Sequence, residues 1–160
     1  MSKKNEIIKD IRVLNINNNG FGVAKNDEGK VYFIKEGVPG DLLEIKVLKK
    51  RRKYYNAKIE KIIEKSVYRI DPQCKHFYDC GGCKLQHIDY KYQIKHKQES
   101  IANNLKKIGK ISIDKFSKII PAKKNFNYRN KMEFGFTNNR WLNNNEILSK
   151  KKLNKNGVGL

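Results

Sequence analysis

Short alternating apolar stretches, each ended by turn residues, dominate the first part of the sequence. They cover five segments, at residues 11–16, 20–24, 31–34, 43–47 and 55–61. Alternation with a period of two is typical of strands that bury one face. Pro39 and Gly40 occupy the two central positions of a predicted type II turn between the third and fourth segments. The sequence therefore predicts a five-stranded OB-like barrel over residues 1–65, with a simple β-meander as the alternative.

The rest of the chain is organised differently. Residues 66–88 are irregular and hold all three cysteines. Asp89 is the predicted N-cap of a helix over residues 89–109, and Gly109 is its stop signal. A further strand is predicted over residues 128–137, within a β-rich region that covers residues 116–160. Because residues 157–160 are apolar or glycine, we expect the chain to stop inside an element. The predicted fold class is α+β.

Basic residues strongly outnumber acidic ones, 36 against 16, which gives a net charge of +20. Part of this excess reflects a composition rich in Lys, Asn and Ile. A field of this size still attracts polyanions, so nucleic acid is the favoured partner. No apolar run approaches the ~18 residues of a membrane span, and no signal-peptide core is present. We therefore expect a soluble, cytoplasmic protein that binds no membrane, and nothing in the sequence indicates a protein partner.

A run of cations lies between the fourth and fifth predicted strands and precedes two tyrosines. The predicted RNA contacts are Lys49, Arg51, Arg52 and Lys53 through phosphates and Tyr32 through base stacking. Phe21 and Lys25 extend the same surface. The alternative is a solvated hairpin whose tyrosines, and Tyr55 in particular, belong to the core.

The three cysteines follow the pattern C-x5-C-G-G-C at Cys74, Cys80 and Cys83. An odd number of cysteines argues against a disulfide framework and favours metal ligation. Gly81 and Gly82 allow positive φ and a close approach of backbone N–H groups to sulfur. The spacing leaves two metals open. Zinc would need a fourth ligand such as His76 or His87, and a four-iron cluster would need a fourth thiolate.

The cysteine motif, followed by Gln86-His87 and Asp89-Tyr90, resembles the iron–sulfur class of RNA (uracil-C5)-methyltransferases, in particular the 23S rRNA type. Residues 20–24, 29 and 38–41 resemble the TRAM domain of that family, and residues 128–134 resemble the start of its central RNA-binding region. The resemblance implies RNA as the partner, with rRNA favoured over tRNA. It also implies RNA contacts at Arg129 and Lys131.

In that family, three cysteines of the motif and a fourth further along the chain hold a 4Fe-4S cluster. The resemblance assigns Cys74, Cys80 and Cys83 to this cluster, and these 160 residues contain no fourth cysteine. It also implies that the full-length enzymes use S-adenosylmethionine as methyl donor. Zinc stays the alternative metal.

Family members methylate uracil C5 with a cysteine that adds to C6 and a base that removes the C5 proton. Because the motif uses all three cysteines, the sequence offers no catalytic residue, and it shows no cofactor-binding residue for S-adenosylmethionine. We expect an RNA-binding N-terminal part that is inactive alone. The alternative is a stand-alone RNA-binding protein with an OB-like barrel and a zinc knuckle. A radical-SAM enzyme is disfavoured because its C-x3-C-x2-C spacing is not matched.

Overall fold

The computed structural model describes residues 6–112, 117–142, 144–149 and 151–159. Its first part contains five strands, which are β1 (Ile7–Ile16), β2 (Gly22–Lys25), β3 (Val31–Lys35), β4 (Leu42–Lys50) and β5 (Tyr54–Glu64). They form a closed barrel in the order β1-β2-β3-β5-β4, and β1 pairs with β4 to complete it. Neighbouring strands are antiparallel except β3 and β5, which are parallel. The closed barrel confirms the OB-like prediction and the α+β class, and it excludes the β-meander.

The barrel interior is filled by the apolar residues that alternate along the strands. On β4, Leu43 and Ile45 are fully buried, whereas the intervening Glu44 is partly exposed. The other buried members of this core are Ile11, Val13, Ala24, Tyr32, Ile34, Val47 and Ala57. Full burial of a Leu or Ile side chain contributes about 1.5–3 kcal/mol. Burial of these alternating apolar side chains is therefore the main source of barrel stability.

Two glycines are required where β2 and the β3–β4 connection meet. Gly40 has a φ of 95°, and the Asp41 N–H donates to the Val38 carbonyl at 3.0 Å, which confirms the predicted type II turn. A Cβ on Gly22 would lie 2.8 Å from the Gly37 carbonyl oxygen. A larger residue at position 22 would therefore push two backbone segments apart.

A buried ionic network, named here the Asp41 clamp (Asp41, Ser66 and Arg69), joins this turn to the segment after β5. Asp41 is fully buried, and its carboxylate accepts hydrogen bonds from Val38 N–H at 2.8 Å and Ser66 N–H at 2.9 Å. The Arg69 guanidinium donates to both carboxylate oxygens, at 2.6 Å from Nη2 and 3.1 Å from Nε. Arg69 Nη2 also donates to the Glu36 carbonyl at 2.7 Å. Because a buried charge needs paired and hydrogen-bonded partners, the clamp fixes this segment firmly.

The helix α1 (Tyr90–Lys107) follows the cysteine segment. Its N-cap Asp89 accepts hydrogen bonds from the backbone N–H groups of Lys91 at 2.9 Å and Tyr92 at 3.4 Å, as predicted. Tyr92 packs against a second small core formed by Ile16, Val38 and Ile88. No residue of α1 is itself fully buried, so the helix is held by one partly buried face.

The chain divides into two compact units: Met1–Pro72 with Lys84–Pro121, and Gln73–Cys83 with Ala122–Leu160. The second unit contains β6 (Gly135–Thr137), α2 (Asn144–Ser149) and β7 (Gly157–Gly159), and β6 pairs with β7 in an antiparallel ribbon. The prediction of a strand over residues 128–137 is correct only for its last three residues, because residues 128–134 have no strand partner among the described residues.

Several residues of the predicted regions lie outside the described ranges: 1–5 of the barrel region, and 116, 143, 150 and 160 of the region 116–160. Within the described ranges, no helix is both long and apolar enough to cross a membrane.

Candidate nucleic-acid interface and cysteine segment

The predicted cation run covers the last two residues of β4 and the turn that leads to β5. This cationic hairpin (residues 49–53) is closed by a hydrogen bond from Arg51 N–H to the Tyr54 carbonyl at 2.9 Å. All five side chains are exposed. Lys50 forms an ion pair with Glu6 at 2.5 Å, and the hydrogen bond to that carboxylate raises the pKa of Lys50. In the described part of the chain, no carboxylate pairs with the four other cations, which leaves them available to phosphates.

Tyr32 is a correction to the predicted RNA contacts. Its side chain is only 2% exposed and belongs to the barrel core. Burial also raises the pKa of its phenol, with a smaller contribution from the charge of Glu6. A base cannot stack on a ring that the core covers. Tyr32 instead makes an edge-to-face contact with Tyr55, at 5.6 Å between centroids.

Tyr55 packs against the barrel core, as the alternative interpretation of the sequence expected, and RNA stacking on it stays a prediction. One side packs on the core, and the ring also lies below two cations, with Lys30 Nζ at 4.0 Å and Lys50 Nζ at 5.1 Å from its centroid. Such cation–π contacts hold the two ammonium groups at the end of the barrel that carries the cationic hairpin.

A second aromatic pair was missed in the sequence. Phe33 on β3 and Tyr54 on β5 are partly exposed, and their ring centroids are 4.6 Å apart. The sequence signal was the alternation along β3, which puts Phe33 on the face opposite Tyr32 and Ile34. The structure shows that Tyr32 and Ile34 are the buried ones. Phe21 is 37% exposed and Lys25 is exposed, so both are open to solvent, and their part in an RNA-binding surface stays a prediction.

The region around Arg129 and Lys131 is exposed and lies in the second compact unit. Lys131 forms an ion pair with Glu133 at 3.0 Å, and both side chains are 83% exposed. Pairs this exposed are worth little, so Lys131 can exchange its carboxylate for a phosphate at small cost.

The cysteine segment is a succession of tight turns. Backbone hydrogen bonds run from Phe77 N–H to Cys74 O at 3.1 Å and from Cys80 N–H to His76 O at 2.8 Å. The side chains of Cys74, Cys80 and Cys83 are all exposed. Among the described residues, no three His, Cys, Asp or Glu side chains are gathered closely enough to hold a metal ion.

The glycine pair next to Cys80 behaves only partly as predicted. Gly82 N–H donates to Cys80 Sγ at 3.4 Å, the type of contact that stabilises a thiolate ligand. Gly81 and Gly82 do not have positive φ, which occurs at Gly20, Gly29 and Gly40 among the glycines that the structure describes. That part of the prediction is wrong. Thiolates are the ligands of a 4Fe-4S cluster, so the three cysteines fit such a cluster in donor type.

The two histidines proposed as alternative zinc ligands have contrasting environments. His76 is exposed, whereas His87 is fully buried. Burial, with a smaller contribution from the positive charge of Arg69, lowers the pKa of His87 to about 4. A neutral imidazole beside the Asp41 clamp is typical of a core histidine.

The barrel matches a known domain model. Residues 7–59 match the TRAM domain, a range that begins with β1 and ends within β5. The barrel is a TRAM domain. This assignment confirms the TRAM resemblance that the glycine and turn pattern suggested.

Most of the chain is also similar to RNA methyltransferases. An uncharacterized RNA methyltransferase of Bacteroides thetaiotaomicron is 40% identical over 141 residues, which cover 88% of this chain and 31% of that protein. The 23S rRNA (uracil(1939)-C(5))-methyltransferase RlmD of Francisella tularensis subsp. holarctica is 36% identical over 137 residues, or 84% of this chain and 30% of its own length. The TRAM-containing chain thus spans about a third of the relatives it matches.

Among solved structures, the chain is similar to the Pyrococcus abyssi tRNA (uracil-54, C5)-methyltransferase in complex with S-adenosyl-L-homocysteine. The sequences are 27% identical, with a TM-score of 0.42, over 71% of this chain and 24% of that one.

Proposed function

We propose that this chain is the RNA-binding N-terminal part of a cytoplasmic, S-adenosylmethionine-dependent RNA (uracil-C5)-methyltransferase that acts on rRNA. The observation that carries the proposal is the similarity to a 23S rRNA (uracil-C5)-methyltransferase over 84% of the chain. The TRAM match and the net charge of +20 support the same conclusion.

The proposed domain organisation has four segments: a TRAM barrel over 1–65, a cluster-binding segment over 66–88, a helix over 89–109 and the beginning of a central RNA-binding region over 116–160. In the barrel, Lys49, Arg51, Arg52 and Lys53 bind phosphates. In the central region, Arg129 and Lys131 do so. No catalytic residue and no S-adenosylmethionine-binding residue is assigned to this chain, which we expect to be inactive alone.

For the cysteine segment, we infer that Cys74, Cys80 and Cys83 bind three irons of a 4Fe-4S cluster. The exposed thiols and the Gly82 N–H donated to Cys80 Sγ support this assignment. The fourth ligand comes from outside these 160 residues, which contain three cysteines. When bound, such a cluster supplies a covalent cross-link that gathers a segment made only of turns.

RNA binding is tested by fluorescence anisotropy with a labelled 23S rRNA fragment, a tRNA transcript and duplex DNA, over a range of salt concentrations. We expect the rRNA fragment to bind most tightly. An Arg51→Ala/Arg52→Ala/Lys53→Ala variant should reduce the slope of log K against log salt by about 2, since each single-strand phosphate contact contributes about 0.7.

The matched control removes three exposed charges from α1, as Lys91→Ala/Lys97→Ala/Lys107→Ala. Its salt slope should stay close to that of the wild type. Absence of RNA binding by the wild type would refute the proposal, and equal affinity for tRNA would refute the preference for rRNA.

The metal is tested separately by anaerobic reconstitution with iron and sulfide, followed by metal analysis and visible absorption spectroscopy. Each Cys→Ser variant should bind less iron than the wild type, and His76→Gln should bind as much as the wild type. Stoichiometric zinc that His76→Gln abolishes would contradict the cluster and favour a stand-alone RNA-binding protein with a zinc knuckle.

A further inference from the structure

Three lysines lie side by side on neighbouring strands of the barrel. Lys35 of β3 pairs with Lys58 of β5, and Lys58 pairs in turn with Lys46 of β4. Directly paired residues project from the same face of a sheet. Because the neighbouring Ile34 and Ala57 are buried in the core, this lysine row (Lys35, Lys46 and Lys58) lies on the outer face.

The lysine row concentrates positive charge. Adjacent strands are about 4.8 Å apart, so three strands place the lysines within about 10 Å. This is close to the Debye length at physiological salt, and their potentials therefore add. Lys35 Nζ lies 3.2 Å from the Glu36 carboxylate. For Lys46 and Lys58, the described residues provide no carboxylate within ion-pair distance.

Like charges directly opposite one another destabilise a sheet, so a row of three needs an explanation other than barrel stability. Three acidic residues on the same strands lie on the far side of the row: Glu44 and Glu60 two positions from it, and Glu64 further along β5. On the near side, two positions before Lys35, is Phe33. The carboxylates therefore repel an anion beyond the row, whereas on the near side Phe33 and its partner Asn56 are uncharged and the cationic hairpin attracts it.

The aromatic pair, Phe33 and Tyr54, provides a surface on which bases can stack, which lysines do not. Phe33 and Tyr54 are partly exposed with centroids 4.6 Å apart, and Phe33 pairs across the sheet with Asn56. Aromatic faces stack on nucleic-acid bases, and each stacked base contributes binding without sequence preference. Along β5, the order is cationic hairpin, Tyr54, Asn56 and then Lys58.

We propose that the lysine row binds the phosphates of a single-stranded RNA segment whose bases stack on Phe33 and Tyr54. The RNA enters at the cationic hairpin, crosses the aromatic pair and ends at Lys35, Lys58 and Lys46. This proposal rests on RNA being the partner, as in the proposed function. It adds a second phosphate-binding site to the barrel, formed by strand register rather than by a run of cations in the sequence.

The test compares Lys35→Gln/Lys46→Gln/Lys58→Gln with Lys91→Gln/Lys97→Gln/Lys107→Gln, which removes the same charge from α1. Affinity for a short labelled oligouridine is measured by anisotropy across salt concentrations, and thermal unfolding is followed in parallel. The lysine-row variant should lose about 2 from the salt slope. Its unfolding temperature should be unchanged or higher, because like-charge repulsion is removed. The α1 variant should keep the wild-type slope.

A Phe33→Leu variant separates stacking from charge. It should weaken oligouridine binding about 5-fold or more, with an unchanged salt slope, because a base contact is lost and no phosphate contact is. Wild-type affinity and slope in the lysine-row variant, together with loss in the Arg51/Arg52/Lys53 variant, would overturn the lysine row and leave the proposed function intact.

Two further outcomes have distinct meanings. If the wild type itself bound no RNA, the proposed function and this site would both fail. If a sulfated polysaccharide bound as tightly as oligouridine and Phe33→Leu weakened neither, the surface would be a general polyanion site, which contradicts base stacking.

Discussion

Asp41→Ala is predicted to be among the most destabilising single changes in this chain. It removes the acceptor of two backbone N–H groups and of the Arg69 guanidinium, in a pair whose side chains are 8% and 0% exposed for Arg69 and Asp41. Breaking a buried pair from one side leaves an uncompensated charge and costs about 3–5 kcal/mol. Because a domain of this kind is stable by about 5–15 kcal/mol, the loss is a large share of the total.

The assay is urea denaturation followed by far-UV circular dichroism. The matched control is Glu64→Ala, which breaks the Arg12–Glu64 pair, whose side chains are 52% and 61% exposed; exposed pairs contribute at most about 1 kcal/mol. In a double-mutant cycle, Asp41→Asn with Arg69→Met should cost less than the sum of the single changes. An Asp41→Ala protein within about 1 kcal/mol of the wild type would refute the argument, because the clamp would then carry no ionic coupling.

Three further predictions follow from other parts of the first unit and the cysteine segment. Gly22→Ala should destabilise the barrel by about 1–3 kcal/mol in the same urea assay, because its Cβ would lie 2.8 Å from the Gly37 carbonyl oxygen. The control Gly81→Ala, whose Cβ would have no atom within 4 Å, should be neutral or slightly stabilising. Equal effects of the two substitutions would contradict the steric reasoning. The pKa of His87 is about 4 in the folded protein and 6.5 when unfolded, so folding favours the neutral ring. The free energy of unfolding should therefore fall as the pH drops from 6.5 towards 4, by about 2 kcal/mol at pH 5. His87→Gln should flatten this dependence of stability on pH, and an unchanged dependence would exclude His87 as the cause. Asp89→Ala should cost about 1 kcal/mol and reduce helical circular dichroism, because Lys91 N–H and Tyr92 N–H lose their acceptor; undiminished helicity would show that the cap is dispensable.

The barrel could be predicted because its information is local. The alternation of Leu43, Ile45 and Val47 fixes which face of β4 is buried, and Pro39-Gly40 fixes the turn before it. Asp89 likewise marked the start of α1 through its own side chain. These features depend on residues only a few positions apart.

Other features depend on pairing between distant segments, which a sequence does not display. The prediction for Tyr32 was wrong because alternation shows that neighbouring residues face opposite ways without showing which way is inward. The lysine row was invisible because it requires the registers of β3, β4 and β5 together. The predicted strand at 128–137 shortened to Gly135–Thr137, where pairing with Gly157–Gly159 satisfies its backbone groups.

The parallel pairing of β3 with β5 has a consequence for synthesis. One edge of Val31–Lys35 acquires its hydrogen-bonding partner only when Tyr54–Glu64 has been made, after all of β4. Until then a nascent chain carries an open strand edge bearing Phe33, which is a template for association with other chains. Lys35 at the end of that edge adds a charge that opposes association with other chains. The same lysine that belongs to the lysine row of the folded barrel therefore reduces aggregation of the nascent chain.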